Sequence, residues 1–471
     1  MDNSRDAILR QPTSYEDSSV DAEMDSQDKL RVSSKSSALS KLKAKSEIYT
    51  ENLLEEIVSK KNLYEAYKRV KKNKGSHGVD GMTVLELLPY LQQNASELIK
   101  DLLEGTYVPK PVRRVEISKS SGGVRQLGIP TVVDRTIQQA IKTILERYFE
   151  PTFSEFSYGF RPKRSGHDAL NRAKVYIEEG RNIVIDMDLE KFFDHINHDI
   201  LMSKIEKRIK DKRVLKLIRK YLNSGIMLNG IVVKSEANVS QGGPLSPLLS
   251  NIMLNDLDRE LEKRGHTFVR YADDCNIYVK SKRSGERVLK SITEYLSREL
   301  KLKVNKTKSA VDFVIRRKFL GYSFYYSKGE IAFRVHSKSF ERLKEKLRKI
   351  TNRNVSISFD YRMTKLKQLM VGWINYYKLA NMSVKLKALD EWIRRRLRAC
   401  IWKTWKKVKT RFKNLKKLGI PKEKAWEYAN TRKGYWRISN SPILSISITN
   451  RKLEKRGYVS FTTQYKKVKI V

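Results

Sequence analysis

Aspartates at two places in the sequence have a spacing that suits metal chemistry. Asp186 and Asp188 lie in an apolar segment at 182–189, where a strand of period two would turn both side chains to one face. Asp273 and Asp274 are adjacent, between two short runs of strand-forming residues, a pattern typical of a tight hairpin turn. An Asp pair in a turn is by itself more often structural than catalytic.

Taken together, the two acidic elements predict a site for hard cations. Carboxylates close together repel one another unless a cation lies between them, and oxygen ligands without neighbouring His or Cys suit Mg²⁺. Two Mg²⁺ ions about 3.5–4 Å apart would activate a 3′-hydroxyl and stabilise a leaving pyrophosphate. The chemistry indicated is nucleotidyl transfer, with Mn²⁺ as an alternative metal.

The charge of the chain indicates a polyanionic partner. Its 471 residues include 97 Lys and Arg against 53 Asp and Glu, a formal net charge of +44. Residues 335–471 alone hold 37 basic residues and 8 acidic ones. Because such a surface repels itself unless phosphates neutralise it, nucleic acid is the expected partner. No segment approaches the roughly 20 apolar residues of a membrane span, so no membrane association is expected.

Helical and strand patterns alternate around these aspartates and predict an α+β fold. Apolar residues recur at helical spacing at 134–149 and 285–300. Strand patterns occur at 182–189, 267–271 and 275–279. Three further helical patterns, basic and rich in Trp and Tyr, are predicted at 337–351, 364–379 and 384–408.

Five motifs, in order, resemble those of reverse transcriptases. Tyr-Ala-Asp-Asp at 271–274 looks like the catalytic box of that family, and 188–193 looks like its other acidic motif. Between them, 240–249 is similar to the family's QGxxxSP motif, and 302–309 and 319–322 resemble later motifs. Such an ordered series is not expected by chance.

Other motifs narrow the resemblance to bacterial group II intron reverse transcriptase/maturases, over about 50–471. These motifs lie at 73–81, 122–130, 157–162 and 372–377. Many relatives end in an HNH endonuclease with Cys pairs, whereas this sequence has no His after 336 and no Cys after 400. It therefore resembles the compact, class C-like members.

The resemblance implies a right-hand polymerase: fingers, a palm with an antiparallel sheet, a helical thumb and a small basic C-terminal domain. A disordered N-terminal segment is expected at 1–45. The expected divisions then follow in order: N-terminal extension and fingers at 46–180, palm at 181–334, thumb or maturase domain at 335–410, and basic DNA-binding region at 411–471.

The resemblance also assigns catalytic roles. It implies that the metal ligands and catalytic carboxylates are Asp188, Asp273 and Asp274. Asp186 is expected to lie next to these ligands without binding the metal itself. Lys308 matches a lysine associated with protonation of the pyrophosphate, and Lys303 and Lys306 are alternatives for that role.

Further residues are implied to bind the nucleotide and the template base pair. They are Lys119, Arg125, Phe193, Gln241 and Gly242. The two basic residues flank a fingertip turn and would face a triphosphate that carries roughly four negative charges. Phe193 matches the steric gate that rejects a 2′-hydroxyl, with Phe192 on the opposite face if the strand continues. Gly242 would let the backbone approach the base pair closely.

Four arginines are assigned to nucleic-acid binding. They are Arg161, Arg394, Arg395 and Arg398. A salt bridge within the fingers is the alternative for Arg161, and a solubilising charged helix is the alternative for the other three. Because apolar residues of that helix face a core, at least two of its arginines are expected to face solvent.

The function implied is that of an RNA-directed DNA polymerase encoded by a group II intron, which also binds intron RNA to assist splicing and retromobility. Its partners would be intron RNA, an RNA template with a DNA or RNA primer, target DNA and dNTPs. The expected location is the bacterial cytoplasm, with nucleoid association on target DNA. The alternatives are a splicing factor with a decayed polymerase, which the intact acidic motifs disfavour, and a diversity-generating or CRISPR-linked reverse transcriptase without a maturase role, which 372–377 disfavours.

Overall fold

The computed structural model describes residues 51–118, 124–228, 231–233 and 242–469. The expected disordered segment at 1–45 lies outside them. The chain forms two compact units. The first unit comprises Met1–Thr152 and Phe193–Met253, and the second comprises Phe153–Phe192 and Leu254–Val471. Both contain helices and strands, so the predicted α+β class is confirmed.

The first unit combines a small sheet with the following six helices of its described residues. The helices are α1 (Leu53–Val58), α2 (Lys60–Asn73), α3 (Leu87–Glu104), α4 (Val132–Phe149), and, after 193, α6 (His198–Glu206) and α7 (Lys212–Leu222). The strands are β1 (Val112–Ser118), β2 (Val124–Ile129), β4 (Ile226–Leu228) and β5 (Ile231–Val233), in the order β2-β1-β4-β5. Only the β1–β4 pair of this sheet is parallel.

Helix α4 forms the centre of the first unit, because most of its side chains are buried, polar ones included. Thr131 caps its first turn by accepting a hydrogen bond from the Asp134 amide. The buried Asp134 carboxylate in turn accepts one from the Tyr107 hydroxyl at 2.7 Å. Asn62 of α2 donates to the Ala140 carbonyl at 3.2 Å. These bonds satisfy polar groups that would otherwise be costly to bury.

The second unit is built on an antiparallel sheet in the order β6-β7-β3-β8. Its strands are β3 (Ile183–Met187), β6 (Thr267–Tyr271), β7 (Asp274–Val279) and β8 (Ala310–Phe313). Helices α5 (Gly166–Glu178) and α9 (Lys282–Glu299) accompany this sheet, and α8 (Ser246–Lys263) precedes β6. A separate hairpin follows, with β9 (Tyr322–Ser327) paired to β10 (Glu330–Val335).

Helices make up the rest of the second unit. They are α10 (Ser337–Ile350), α11 (Phe359–Tyr376), α12 (Ser383–Thr404), α13 (Val408–Lys417), α14 (Lys422–Ala429), α15 (Tyr435–Ile438), α16 (Pro442–Ser447), α17 (Asn450–Lys455) and α18 (Phe461–Lys469). One buried apolar cluster runs from Ala169 on α5 through Tyr322 to Phe461 on α18. In the described part of the chain, no helix is both long and apolar enough to cross a membrane.

Candidate active site

The strand register brings the predicted aspartates to one edge of the sheet in the second unit. Met187, the last residue of β3, pairs with Cys275 of β7, so the next position along the register sets Asp188 beside Asp274. Asp273 lies in the turn between β6 and β7, whose ends pair through Tyr271. Most residues of β3 and β7 are buried, whereas Asp186 on β3 and Asp274 at the start of β7 are accessible to solvent.

A cavity of about 540 Å³ opens at this edge. Asp186, Asp188 and Asp274 line it together with Lys308. Four more cationic side chains lie along it, namely Arg316, Arg317, Lys318 and Lys338. The cavity therefore combines oxygen ligands with a basic wall, which suits an anionic substrate that arrives with a metal ion.

The carboxylates crowd one another. Burial, followed by the negative charges of Asp273, Asp186 and Asp188, raises the pKa of Asp274 to about 7. Asp274 itself remains solvent-accessible. A cation bound between the carboxylates would remove the part of the pKa shift that their mutual repulsion causes. This electrostatic environment favours binding of a divalent ion.

Two cations already accompany the aspartates. The Lys308 Nζ lies 3.3 Å from the Asp188 carboxylate. Arg317 donates to Asp186 from both Nε, at 3.1 Å, and Nη2, at 2.6 Å. Burial raises the pKa of Asp186, and the hydrogen bond from Arg317 opposes that shift.

Asp188 and Asp274 fit Mg²⁺ as oxygen ligands, but the ligand set is not preassembled. Among the described residues, no group of three His, Cys, Asp or Glu side chains is arranged to hold an ion. The ion pair of Asp188 with Lys308 is consistent with this, since the lysine competes with a metal for the same oxygen.

A buried ion pair supports the turn that carries Asp273 and Asp274. Arg270 and Asp258 are both fully buried and form a two-point contact at 2.6 and 2.7 Å. Arg270 also donates to the Ala272 carbonyl at 2.8 Å. Ala272 has a φ of +59°, in the left-handed region, so this bond holds a conformation that alanine seldom adopts.

The segment before α5 also contacts the turn. Tyr158 donates its amide to the Arg270 carbonyl at 2.8 Å, and the Arg270 amide donates to Phe156. A Cβ added to Gly159 would lie 2.2 Å from the Ala272 nitrogen. Glycine is therefore required where this backbone passes the turn.

Arg161, which is assigned to nucleic-acid binding with a salt bridge within the fingers as the alternative, lies inside the protein. Its side chain is buried, and Nη1 donates to the carbonyls of Ser154 and Ser157. It thereby holds the segment that leads to Gly159. These contacts favour an internal role for Arg161, and its predicted contact with nucleic acid stays a prediction.

Three of the residues assigned to substrate binding, Arg125, Phe193 and Gly242, lie in the first unit. Lys119 and Gln241 are outside the described residues, and Arg125 is described only as a β2 residue whose backbone pairs with Ile117. A Cβ on Gly242 would meet the Gly128 carbonyl at 2.0 Å. A side chain at 242 would therefore clash with the backbone at Gly128. The sequence resemblance implies a different reason for glycine there, the close approach of the base pair.

Phe192 and Phe193 are not on a strand. Strand β3 ends at Met187, and Phe192–Asp194 form a single 3₁₀ turn. The strand does not continue as far as these rings, so the condition under which they would alternate between its two faces is not met. Phe192 is buried and Phe193 is partly exposed, a difference that is compatible with a separate role for Phe193.

The arginines of α12 are all partly exposed. Arg394, Arg395 and Arg398 line one cavity of about 500 Å³. Arg395 stacks 3.9 Å above the Trp436 ring and donates to its carbonyl. Arg398 donates to the Ile448 carbonyl at 3.0 Å. Their guanidinium groups therefore also tie α12 to the short helices that follow it.

Sequence reasoning missed three residues that contact the candidate site or its turn: Asp258, Arg270 and Arg317. Arg270 directly precedes the Tyr-Ala-Asp-Asp motif, and its apolar surroundings hinted at burial of a charged side chain. Asp258 and Arg317 gave no signal, since each resembles many other charged residues in the chain.

The aspartates of this site lie in a part of the chain that is similar to known proteins. Residues 117–324 match the family model described as "Reverse transcriptase (RNA-dependent DNA polymerase)", which sets the class of enzyme. Residues 340–419 match "Group II intron, maturase-specific domain". "Protein YkfC" of Escherichia coli (strain K12) is 34% identical over 304 residues, which cover 56% of this chain and 80% of that protein. The chain belongs to the group II intron-type reverse transcriptases, which are RNA-directed DNA polymerases with a maturase-specific domain.

Two other similarities are more limited. "Group II intron-encoded protein LtrA" of Lactococcus lactis subsp. cremoris is 40% identical over 197 residues, 42% of this chain. The match spans only 33% of that protein's length. A solved structure titled "Partial Cas6-RT-Cas1--Cas2 complex" aligns with a TM-score of 0.35 and 23% identity, over 53% of this chain and 43% of that one. A structural likeness this distant carries no argument.

Proposed function

We propose that the protein extends a DNA or RNA primer on an RNA template by two-metal nucleotidyl transfer at Asp188, Asp273 and Asp274. The observation that carries this proposal is that Asp186 and Asp188, at the end of β3, and Asp274, at the start of β7, line one basic cavity. Asp273 directly precedes Asp274 in the turn. In this proposal the palm spans 181–334, the N-terminal extension and fingers 46–180, the thumb 335–410, and a basic DNA-binding region 411–471.

The three aspartates would hold two Mg²⁺ ions, or Mn²⁺ in their place. When bound, the ions would activate the primer 3′-hydroxyl and stabilise charge on the leaving pyrophosphate. The Asp274 carboxyl, whose pKa stands near 7 without a cation, would be ionised in that complex. The buried Arg270–Asp258 pair would keep Asp273 and Asp274 in place during the reaction.

Lys308 is proposed to give a proton to the pyrophosphate. Its side chain is 63% exposed and lies in the cavity beside Asp188, so its ammonium group can reach a phosphate bound there. Lys318 and Lys338 extend the positive wall of the same cavity. Lys303 and Lys306 remain alternatives by sequence, but neither is among the residues that line this cavity.

Nucleotide selection is proposed to rest on first-unit residues. Phe193 would exclude the 2′-hydroxyl of a ribonucleotide by steric contact. Lys119 and Arg125 would bind the triphosphate, and Gln241 and Gly242 would contact the templating base pair. The partial exposure of Phe193 supports its role; the other assignments are supported by the family motifs alone.

The maturase match supports a second role on intron RNA. The protein would bind its intron RNA to assist splicing, and would then copy the intron at a DNA target. Arg394, Arg395 and Arg398 are proposed to contact nucleic acid. Arg395 and Arg398 would do so through guanidinium N–H groups other than those that bond within the protein. We propose that this takes place in the bacterial cytoplasm, at the nucleoid when target DNA is bound.

Substitution of the metal ligands tests the polymerase proposal. We expect Asp188→Ala and Asp273→Ala to abolish Mg²⁺-dependent DNA synthesis on an RNA template, and to leave RNA binding nearly intact because the basic surface supplies the affinity. Asp312→Ala is the matched control, since Asp312 lies on β8 of the same sheet. Substantial extension by either active-site variant would contradict the two-metal assignment, and a large loss of RNA affinity would make these aspartates structural.

A reverse transcriptase of another retroelement is the second candidate. It is disfavoured because residues 340–419, which follow the polymerase domain, match a maturase-specific family model. Group II intron secondary structure in the DNA that flanks the gene, and preferential binding of that intron RNA over an unrelated structured RNA of equal length, would separate the two. Equal affinity for both RNAs would favour the second candidate.

A further inference from the structure

Arg317 joins two parts of the candidate active site. Its Nη2 donates to the Asp186 carboxylate at 2.6 Å and also to the Lys308 carbonyl at 3.2 Å. Its Nε gives Asp186 a second hydrogen bond at 3.1 Å. One guanidinium group therefore connects β3 to the backbone of the residue whose ammonium group lies beside Asp188.

The loop at 305–309 is held at its other side by the backbone of Asp188. The Asn305 amide donates to the Asp188 carbonyl at 2.8 Å. The Asp188 amide in turn donates to the Ser309 hydroxyl at 3.0 Å. Within the loop, the amides of Lys308 and Ser309 both donate to the Asn305 carbonyl. With Arg317 in addition, the loop is fixed on both sides of Lys308.

We propose that Arg317, held by Asp186, is a positioning residue that sets Lys308 against the reacting phosphates. Asp186 then acts through Arg317 and not as a metal ligand. This inference rests on the proposed role of Lys308 in nucleotidyl transfer. It explains why an acidic residue occurs at 186, on the same strand as Asp188, while its carboxylate is already engaged by an internal cation.

The geometry requires arginine in this position. A planar guanidinium can give two hydrogen bonds to a carboxylate and a third to a carbonyl, whereas a lysine ammonium is a single point charge on a flexible stem. Arg317→Lys would therefore keep the charge that Asp186 needs, but would not span both partners. Arg317→Gln would remove the charge as well.

A double-mutant cycle between Arg317 and Lys308 tests the inference. In the full-length protein, kcat and the KM for dNTP are measured for Arg317→Gln, Arg317→Lys, Lys308→Ala and the double variant Arg317→Gln/Lys308→Ala. Lys308→Ala should lower kcat by on the order of 10²-fold, as loss of a general acid does. Arg317→Gln should lower kcat by roughly 10-fold to 100-fold through misplacement of Lys308, with little change in KM.

The control for a broken ion pair is Arg264→Gln. The Arg264–Glu260 pair has an N–O distance of 2.6 Å and side chains 30% and 19% exposed, close to the 28% and 26% of the Arg317–Asp186 pair. We expect this control to leave kcat unchanged. Thermal melting of every variant shows whether the fold is kept, and Arg317→Lys replaces Arg317→Gln in the cycle if the latter melts early.

The decisive result is the kcat of the double variant. If Arg317 acts through Lys308, the double variant is no slower than Lys308→Ala alone, because there is no ammonium group left to misplace. The inference would be overturned if the double variant lost kcat by the product of the two single losses. It would also be overturned if kcat were unchanged in both Arg317 variants. An unchanged kcat in Lys308→Ala would overturn it together with the role of Lys308, while the aspartate variants would still test the metal site separately.

Discussion

Asp390 offers a prediction whose size can be worked out from its contacts. This residue of α12 is 1% exposed. Its carboxylate accepts five hydrogen bonds at 2.7–2.9 Å, from the amides of Phe461 and Thr462 and the hydroxyls of Tyr458, Ser460 and Thr462. The two amides belong to the first turn of α18, where helical N–H groups have no partner within the helix. One anion thereby docks the last helix of the described chain.

Asp390→Ala removes all five acceptor contacts at once. The hydroxyls can rotate towards other acceptors, but the two backbone amides of Phe461 and Thr462 cannot. Leaving a buried donor without an acceptor costs about 1–3 kcal/mol, so the docked state of α18 should lose about 2–6 kcal/mol relative to the undocked state. Asp390→Asn keeps the size of the side chain but presents NH₂ to one of these amides, and we expect about half of that loss.

Hydrogen exchange measured by mass spectrometry checks this prediction. The free energy of opening of the amides at 461–469 should fall by the amount given above, while amides of β3 and β7 keep their protection. Glu391→Ala is the control, because Glu391 is the exposed neighbour of Asp390 on the same helix. Unchanged protection of α18 in Asp390→Ala would refute the reasoning, and so would a loss of protection spread evenly over the second unit.

Three shorter predictions follow from other contacts. Phe193→Ala should raise ribonucleotide incorporation relative to deoxynucleotide incorporation by removing a clash; an unchanged ratio would return Phe193 to a packing role. Arg395→Gln/Arg398→Gln should flatten the slope of log affinity for an RNA–DNA duplex against log salt by about 1.5, if each guanidinium neutralises one phosphate; identical slopes would leave both with internal roles only. Gly159→Ala should sharply reduce DNA synthesis but not RNA binding, because the added methyl group displaces Ala272; full activity would show that the turn tolerates the shift.

The main elements could be predicted from the sequence because their patterns are local. The strand expected at 267–271 occurs as Thr267–Tyr271, and the strand expected at 275–279 occurs as Asp274–Val279. The helix expected at 364–379 instead begins at Phe359 and ends at Tyr376. Ser358 explains the earlier start, because its side chain accepts a hydrogen bond from the Tyr361 amide and caps the helix.

The roles of individual arginines could not be predicted in this way. Arg317 looks like any other basic residue in a chain with 97 Lys and Arg. For Arg161, the sequence does not decide between a contact with nucleic acid and a salt bridge within the fingers. Their partners are carbonyl groups and an aspartate that only the fold brings near. The same limit applies to Asp390, since a carboxylate that caps a helix 71 residues away leaves no local pattern.

The ion pairs at the active site would make its folding less dependent on metal. In many small metalloproteins the ligands repel one another until the ion arrives, so that chelation unfolds the site. Here Lys308 and Arg317 already balance the charges of Asp188 and Asp186. A molecule starved of Mg²⁺ would keep its shape and its basic surface, and would still hold RNA while unable to copy it. RNA binding and DNA synthesis would then respond differently to the supply of metal.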